Sequence, residues 1–161
     1  MKKQINLFAI IFFLSTFLSL FAQSPADSLL ENAQPDSTEK IQTANLTVVI
    51  TDLNNDKGEV RIALCNSKEN YDSANPFMKA SAKIQNNTAT FTFEEVPFGT
   101  YAVKFYHDEN MNGKLDRNYF GMPKEDYGFS NNATGNFGPA SFEDAKFEIT
   151  VPEKTITITA Q

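Results

Sequence analysis

The sequence predicts an all-β protein: an antiparallel β-sandwich of about seven strands, immunoglobulin-like or transthyretin-like, with one long loop rich in Gly, Asn and aromatic residues. Three observations predict it. Between residues 45 and 158, apolar and polar residues alternate with a period of two in short segments, and no helical stripe separates them. Turn-forming residues stand between most of these segments. The alternation stops at Asp108 and does not resume until about Ala145, which leaves one long interruption.

The segments follow in order. Leu46, Val48 and Ile50 alternate with Thr47, Val49 and Thr51, and Val60, Ile62 and Leu64 alternate with Arg61, Ala63 and Cys65. Ala80, Ala82 and Ile84 mark a third segment, and Ala89, Phe91 and Phe93 a fourth. Tyr101, Val103 and Phe105 mark the fifth; Ala145, Phe147, Ile149 and Val151 the sixth; Ile156 and Ile158 the last. The expected inward set is Val48, Ile62, Leu64, Phe91, Phe93, Val103, Phe105, Phe147, Ile149 and Ile158, because strict alternation puts one face against the core. Asn54-Asn55-Asp56-Lys57-Gly58 and Asn86-Asn87 supply residues that tolerate a positive φ at turns. In Val96-Pro97-Phe98-Gly99-Thr100-Tyr101 the proline fixes φ and the glycine permits a tight reversal. Pro152-Glu153-Lys154 separates the last two strands.

Two segments are not strands. Asn66 to Pro76 is a polar connection, with Tyr71 and Phe77 placed to close one end of the core. Asp108 to Asp144 holds five of the seven glycines, and Phe120, Tyr127, Phe129, Phe137 and Phe142 recur through it. A structureless stretch of that length is uncommon in a compact domain. Its aromatic content predicts a loop packed on the sandwich.

Residues 1–22 read as a signal peptide: Lys2-Lys3, an apolar run from Ile5 to Phe21, and Ala22 before the cleavage point. No basic stop-transfer cluster follows, so the mature chain is expected to carry no transmembrane segment. Residues 23–43 are polar, acidic and proline-containing, and read as a flexible linker to the domain at 44–161. The expected location is therefore outside the cytoplasm, periplasmic or extracellular. The net charge of −6 excludes a nucleic-acid partner, which requires a basic footprint. Cys65 is the one cysteine, so no internal disulfide forms, and it reads as a small, half-buried apolar residue.

The stretch HDENMNGKLD, residues 107–116, carries the one candidate metal site. Counted from Asp108, side-chain oxygens fall at positions one, three, five and nine: Asp108, Asn110, Asn112 and Asp116. Gly113 stands at position six, where an EF-hand-type loop turns, and the Lys114 carbonyl would serve position seven. These hard oxygens suit calcium better than a transition metal. Position twelve is Tyr119 where a bidentate glutamate is required, so Glu125 or Asp126 would have to fold back. The bland alternative is an Asx-rich turn whose side chains bond their own backbone.

His107 is the only histidine, and by parity it continues the inward face of the fifth strand. A core-rim histidine with a satisfied hydrogen bond is its structural reading; support for the loop and general-base catalysis are the functional ones. Paired carboxylates at Glu94-Glu95, Glu125-Asp126 and Glu143-Asp144 are weak as hydrolytic dyads, since spacing along the chain sets no distance in space.

The run GMPKEDYGFSNNATGNFGPASFEDAKF, with YAVKFYHDENMNGKLD upstream, resembles the bacterial family called domain of unknown function 2141. Its motifs are Pro97-x-Gly99-x-Tyr101, His107-Asp108-x-Asn110-x-Asn112-Gly113-x-x-Asp116, Gly121-x-Pro123-x-Glu125, Gly128-Phe129-Ser130-Asn131-Asn132 and Phe142-x-Asp144-Ala145. The resemblance extends from Leu46 to about Ile158. It implies an exported β-domain related to transthyretin-like or regulatory prealbumin-like sandwiches, and it supplies no reaction.

Three functions fit these residues. The leading one is a non-enzymatic module of the bacterial cell envelope, binding or structural, monomeric, with the calcium-type loop and an envelope protein or glycan as partner. The second is a carrier of a small ligand, with a pocket under the long loop lined by Tyr127, Phe129 and Phe137. The third is a glycan-directed hydrolase using His107 or Glu125. It ranks last because nothing assembles a nucleophile, a base and an orienting group.

Overall fold

Most of the alternating segments form strands in the computed structural model, which describes residues 41–161; the segment at Ala80–Ile84 divides between two sheets. The signal-peptide reading and most of the linker reading concern residues 1–40 and lie outside the described residues. Among the described residues no helix is long and apolar enough to cross a membrane.

The strands are β1 (Thr43–Thr51), β2 (Glu59–Cys65), β3 (Met78–Ala82), β4 (Ile84–Gln85), β5 (Thr88–Pro97), β6 (Gly99–Asp108), β7 (Tyr127–Phe129), β8 (Phe147–Ile149) and β9 (Glu153–Thr159). They build two sheets. The first has the order β4-β5-β1-β9; the second has the order β3-β2-β6-β7, with β8 also paired to β6. Strand β1 begins one residue before the expected domain boundary, and the Phe98 amide donates to the Gln42 carbonyl at 2.9 Å.

The protein is all-β, and the inward faces of both sheets share one core. Leu46, Val48, Ile50 and Phe93 of the first sheet meet Val60, Ile62, Leu64, Val103 and Phe105 of the second. Phe91 and Phe147, both expected inward, are only partly buried and pack at the core margin. Asn86 and Asn87 take φ values of 52° and 59° in the β4–β5 turn, as their side chains allow. At the β5–β6 corner the Tyr101 hydroxyl donates to the Pro97 carbonyl at 2.8 Å and pins the crossing between sheets.

The antiparallel expectation fails at one pair. β9 runs parallel to β1, from Asn45 opposite Glu153 to Thr51 opposite Thr159. The cause lies just upstream. Ala145–Val151 does not form one strand, because the Ser141 hydroxyl caps a helical turn, α2 (Phe142–Ala145), by accepting from the Asp144 amide at 3.2 Å. The remaining strand β8 pairs with β6 in the second sheet, Val151 is exposed, and the chain then crosses to the first sheet. A similar cap at Ser67 starts α1 (Lys68–Asp72) inside the Asn66–Pro76 connection. Tyr71 is buried there, as expected, whereas Phe77 stays largely exposed.

A second, smaller core lies on the outer side of the second sheet. Cys65, Tyr71, Ala102, Phe129, Phe142 and Ala145 belong to it. Cys65 is therefore fully buried, a correction to its half-buried reading: its outward parity points it under the long loop and not into solvent.

Candidate functional site

The outer face of β6 organises everything the long segment does. Ala102, Lys104, Tyr106 and Asp108 point outward in turn, opposite Cys65, Ala63, Arg61 and Glu59 of β2. The first row belongs to the second core. The middle two rows floor a cleft, and the last row anchors the acidic loop.

Where β6 loses its neighbour, a side chain substitutes. β8 pairs with Gly99–Tyr101 and β7 with Lys104–Tyr106 along the same edge of β6. Buried Ser130 fills the gap between them. Its hydroxyl accepts from the Val103 amide at 2.9 Å and lies 2.5 Å from the Ala145 carbonyl, to which it donates. The backbone groups left over by the strand break are thereby satisfied.

At the far end of β6, Asp108 is completely buried, and its carboxylate accepts from the amides of Asn112 and Gly113, both at 2.8 Å. Arg61 reaches the same carboxylate at 3.3 Å and Glu59 at 2.8 Å. Asn110 Oδ1 accepts from the Asn112 amide at 3.0 Å, and Asn112 Oδ1 from the Lys114 amide at 2.8 Å. The side-chain amides of Asn110 and Asn112 both donate to the Asp116 carboxylate, at 2.7 and 3.1 Å. Gly113 turns the chain with φ of 78°. Gly58, with φ of 63°, lies so close beneath that a Cβ would sit 2.0 Å from the Asp108 carbonyl oxygen.

Glu125 does fold back. Its carboxylate accepts from the Glu109 amide at 3.0 Å and from the Asp116 amide at 2.7 Å, bridging both arms of the loop. The structure thus gathers Asp108, Asn110, Asn112, Asp116 and Glu125 around one turn, while the Lys114 amide serves to close it. As placed, the side-chain oxygens are taken by N–H groups of the loop itself. Among the described residues no three His, Cys, Asp or Glu side chains are gathered as a metal-holding cluster.

His107 is buried in the inner face, as parity predicts. Its Nε2 stands 2.6 Å from the Lys57 carbonyl and its Nδ1 3.5 Å from Asp126, whose other contacts go to Asn54. Both ring nitrogens face protein groups, and each Glu125 oxygen accepts from a backbone amide.

A wide cleft lies beside the loop. It has a volume of about 1340 Å³, above the roughly 300–1,000 Å³ of ordinary small-molecule sites. Ala63, Tyr106, Tyr127 and Phe129 form its floor. A small hairpin closed by the Asn118 amide on the Met122 carbonyl, 2.8 Å, overhangs one side and brings Phe120 and Met122. The Gly135–Pro139 segment overhangs the other and brings Phe137. Of the aromatics expected to pack, Tyr127, Phe129 and Phe142 do so, but Phe120 and Phe137 stay exposed at 85% and 106%. They have no neighbouring core to enter, because the cleft lies between them and the sheet.

Burial pushes the Cys65 thiol up from its ordinary value, although Lys104 pulls the other way. Burial likewise raises Tyr71 and Tyr106, the latter with Asp108 adding to the effect. Reasoning from sequence missed Arg61 as the cation beside Asp108 and Ser130 as the edge plug. Arg61 sits in an outward strand position, where such a residue ordinarily signals only solvation.

The pattern of the bacterial family described as "Uncharacterized protein conserved in bacteria (DUF2141)" matches residues 48–157. No curated protein and no solved structure matches the chain.

Proposed function

Because the chain belongs to the DUF2141 family, which carries no assigned reaction, we propose a function from the site alone: a non-catalytic envelope module that holds a small ligand under its long loop. The observation that carries the reading is the cleft, floored by Ala63, Tyr127 and Phe129 and overhung by Phe120 and Phe137. Apolar walls with a few polar groups are what small-molecule sites are built from. The engagement of His107 and Glu125 in structural hydrogen bonds supports the non-catalytic part. Export rests on the leader-like residues 1–22. A transthyretin-like or immunoglobulin-like sandwich is the finer fold assignment, and the Tyr101–Pro97 corner supports it.

The test is fluorescence titration of the purified chain with N-phenylnaphthylamine, an uncharged dye that brightens in apolar surroundings. Saturable enhancement is expected, and Ala63→Trp, which fills the floor, should remove it while leaving chemical unfolding cooperative. Absence of enhancement in the wild type, or an unchanged titration in Ala63→Trp, would sink the reading.

A second reading concerns the acidic loop, and the return of Glu125 favours it. Asp108, Asn110, Asn112, Asp116 and the Lys114 carbonyl, with Glu125 in place of the absent position-twelve ligand, would supply an oxygen set suited to calcium. The two asparagine amides would turn to present oxygen. The ion would offset repulsion among three carboxylates of which, among the described residues, only Asp108 has an ion-pair partner, Arg61. At tenfold excess over its dissociation constant, calcium would add about 1.4 kcal/mol. Thermal unfolding with millimolar calcium and with chelator checks this: equal midpoints return the loop to a self-bonded Asx turn.

A further inference from the structure

The charge of the cleft is the reverse of the charge of the chain. Arg61, Lys79, Lys104 and Arg117 line it, and among the described residues that line it none carries a carboxylate. The chain as a whole has a net charge of −6, with acids outnumbering bases 20 to 14. Arg61 is neutralised by Glu59 and Asp108. Among the described residues, Lys79, Lys104 and Arg117 have no carboxylate partner.

Their placement is as informative as their sign. Ala63 lies directly between Lys79 of β3 and Lys104 of β6 in one row across the sheet. Two strand spacings, about 10 Å, separate the lysine backbones. A methyl group between two long stems leaves a trough whose walls are methylenes and whose rim is ammonium. Lys104 is held over the trough by the Tyr71 and Ser73 carbonyls and lies 5.0 Å from the Tyr71 ring centre, contacts that orient the charge without cancelling it. Arg117 donates to the Gly121 carbonyl at 2.9 Å, which holds its guanidinium on the hairpin that lines the same cleft. Beyond the row the lining brings Tyr127, Phe129, Met122, Phe120 and Phe137 together with the uncharged polar side chains of Ser73, Ser81 and Asn136.

We infer that the ligand is an amphipathic anion, with an apolar chain or ring under the loop and one carboxylate or phosphate bracketed by Lys79, Lys104 and Arg117. A cleft lined by one sign of charge with low-dielectric walls concentrates the opposite sign, and charge-assisted bonds there are stronger than at open surface. The inference rests on the cleft reading above and adds the ligand's charge to it.

The experiment compares probes that share one apolar body, below their micelle concentrations: dodecanoate, dodecyl phosphate, dodecanol and dodecyltrimethylammonium, each displacing N-phenylnaphthylamine from the purified chain. The two anions should bind at least about tenfold more tightly than the alcohol, and the cation most weakly. Raising salt should weaken the anions and leave the alcohol unmoved. The Lys79 side chain has no hydrogen-bond or ion-pair partner among the described residues, so Lys79→Glu tests charge with little structural cost. It should erase the anion preference while changing dodecanol affinity far less than it changes that of the anions. Equal affinities for anions and alcohol overturn the charge inference while the cleft reading stands. Failure of all four probes overturns both. A preference confined to dodecanoate or to dodecyl phosphate keeps the inference and assigns the headgroup.

Discussion

The two sheets have similar inner faces and opposite outer ones. Outside the first sheet, Thr47 stands between Thr92 and Thr155, and Val49 between Thr90 and Thr157. The Thr47 and Thr92 hydroxyls meet at 3.0 Å, and nothing in the described residues covers this threonine field. Outside the second sheet, the corresponding rows read Lys79-Ala63-Lys104-Phe129 and Ser81-Arg61-Tyr106-Tyr127, with the Asp108–Asp144 segment folded over them. Threonine is what a solvated pleat requires: β-branched for the strand, hydroxylic for water. Alanine flanked by lysines and aromatics is what a covered face requires. The difference teaches that composition of the outer face, more than of the core, separates a bare face from a covered one.

The comparison breaks most severely at the shared core. Phe93→Ala in the first sheet and Phe105→Ala in the second should each cost about 3–5 kcal/mol in chemical unfolding, since both rings are buried in one cluster. A neutral result for either would remove that sheet from the core. Next comes the edge plug peculiar to the second sheet. Ser130→Ala should cost about 1–3 kcal/mol, because the Val103 amide and Ala145 carbonyl lose their partner in a water-free place. A cost below about 0.5 kcal/mol would mean that water takes over the hydroxyl's role.

The covered face should also show itself in alkali. Burial raises the Tyr71 phenol well above its ordinary 10.0 and raises the Cys65 thiol above 9.0, so both keep their protons when folded and release them on unfolding. The unfolded state then binds fewer protons, and stability declines as pH rises from about 9 through 11. Tyr71→Phe should flatten that decline, read as unfolding midpoints against pH. An identical slope in the variant would place the alkaline loss elsewhere. The smallest effect belongs to the bare face. Thr47→Ala should change stability by no more than about 1 kcal/mol, the size of one cross-strand pair. A larger loss would show that the threonine field packs against something.

Much of this was legible in the sequence, for a local reason. The period of two at Leu46, Val48 and Ile50, or Val60, Ile62 and Leu64, is a property of a single strand, so inward and outward residues follow without knowing the neighbours. Asn86-Asn87 and the Pro97-x-Gly99-x-Tyr101 corner were legible because φ preferences belong to single residues. The serine caps at Ser67 and Ser141 are equally local, but the expected polar connection and the expected strand from Ala145 passed them over, because Ser-x-x-Asn and Ser-x-x-Asp lack the Glu or Gln of a full capping box. Tertiary structure alone decided the rest. Pairing joins strands far apart in the chain, so the parallel union of β1 with β9, and the division of one β6 edge between β7 and β8, depend on contacts that no local period encodes. The same holds for the return of Glu125 to the acidic loop and for the row that sets Ala63 between two lysines: each residue looks ordinary alone, and its meaning comes from which distant segment lies beside it.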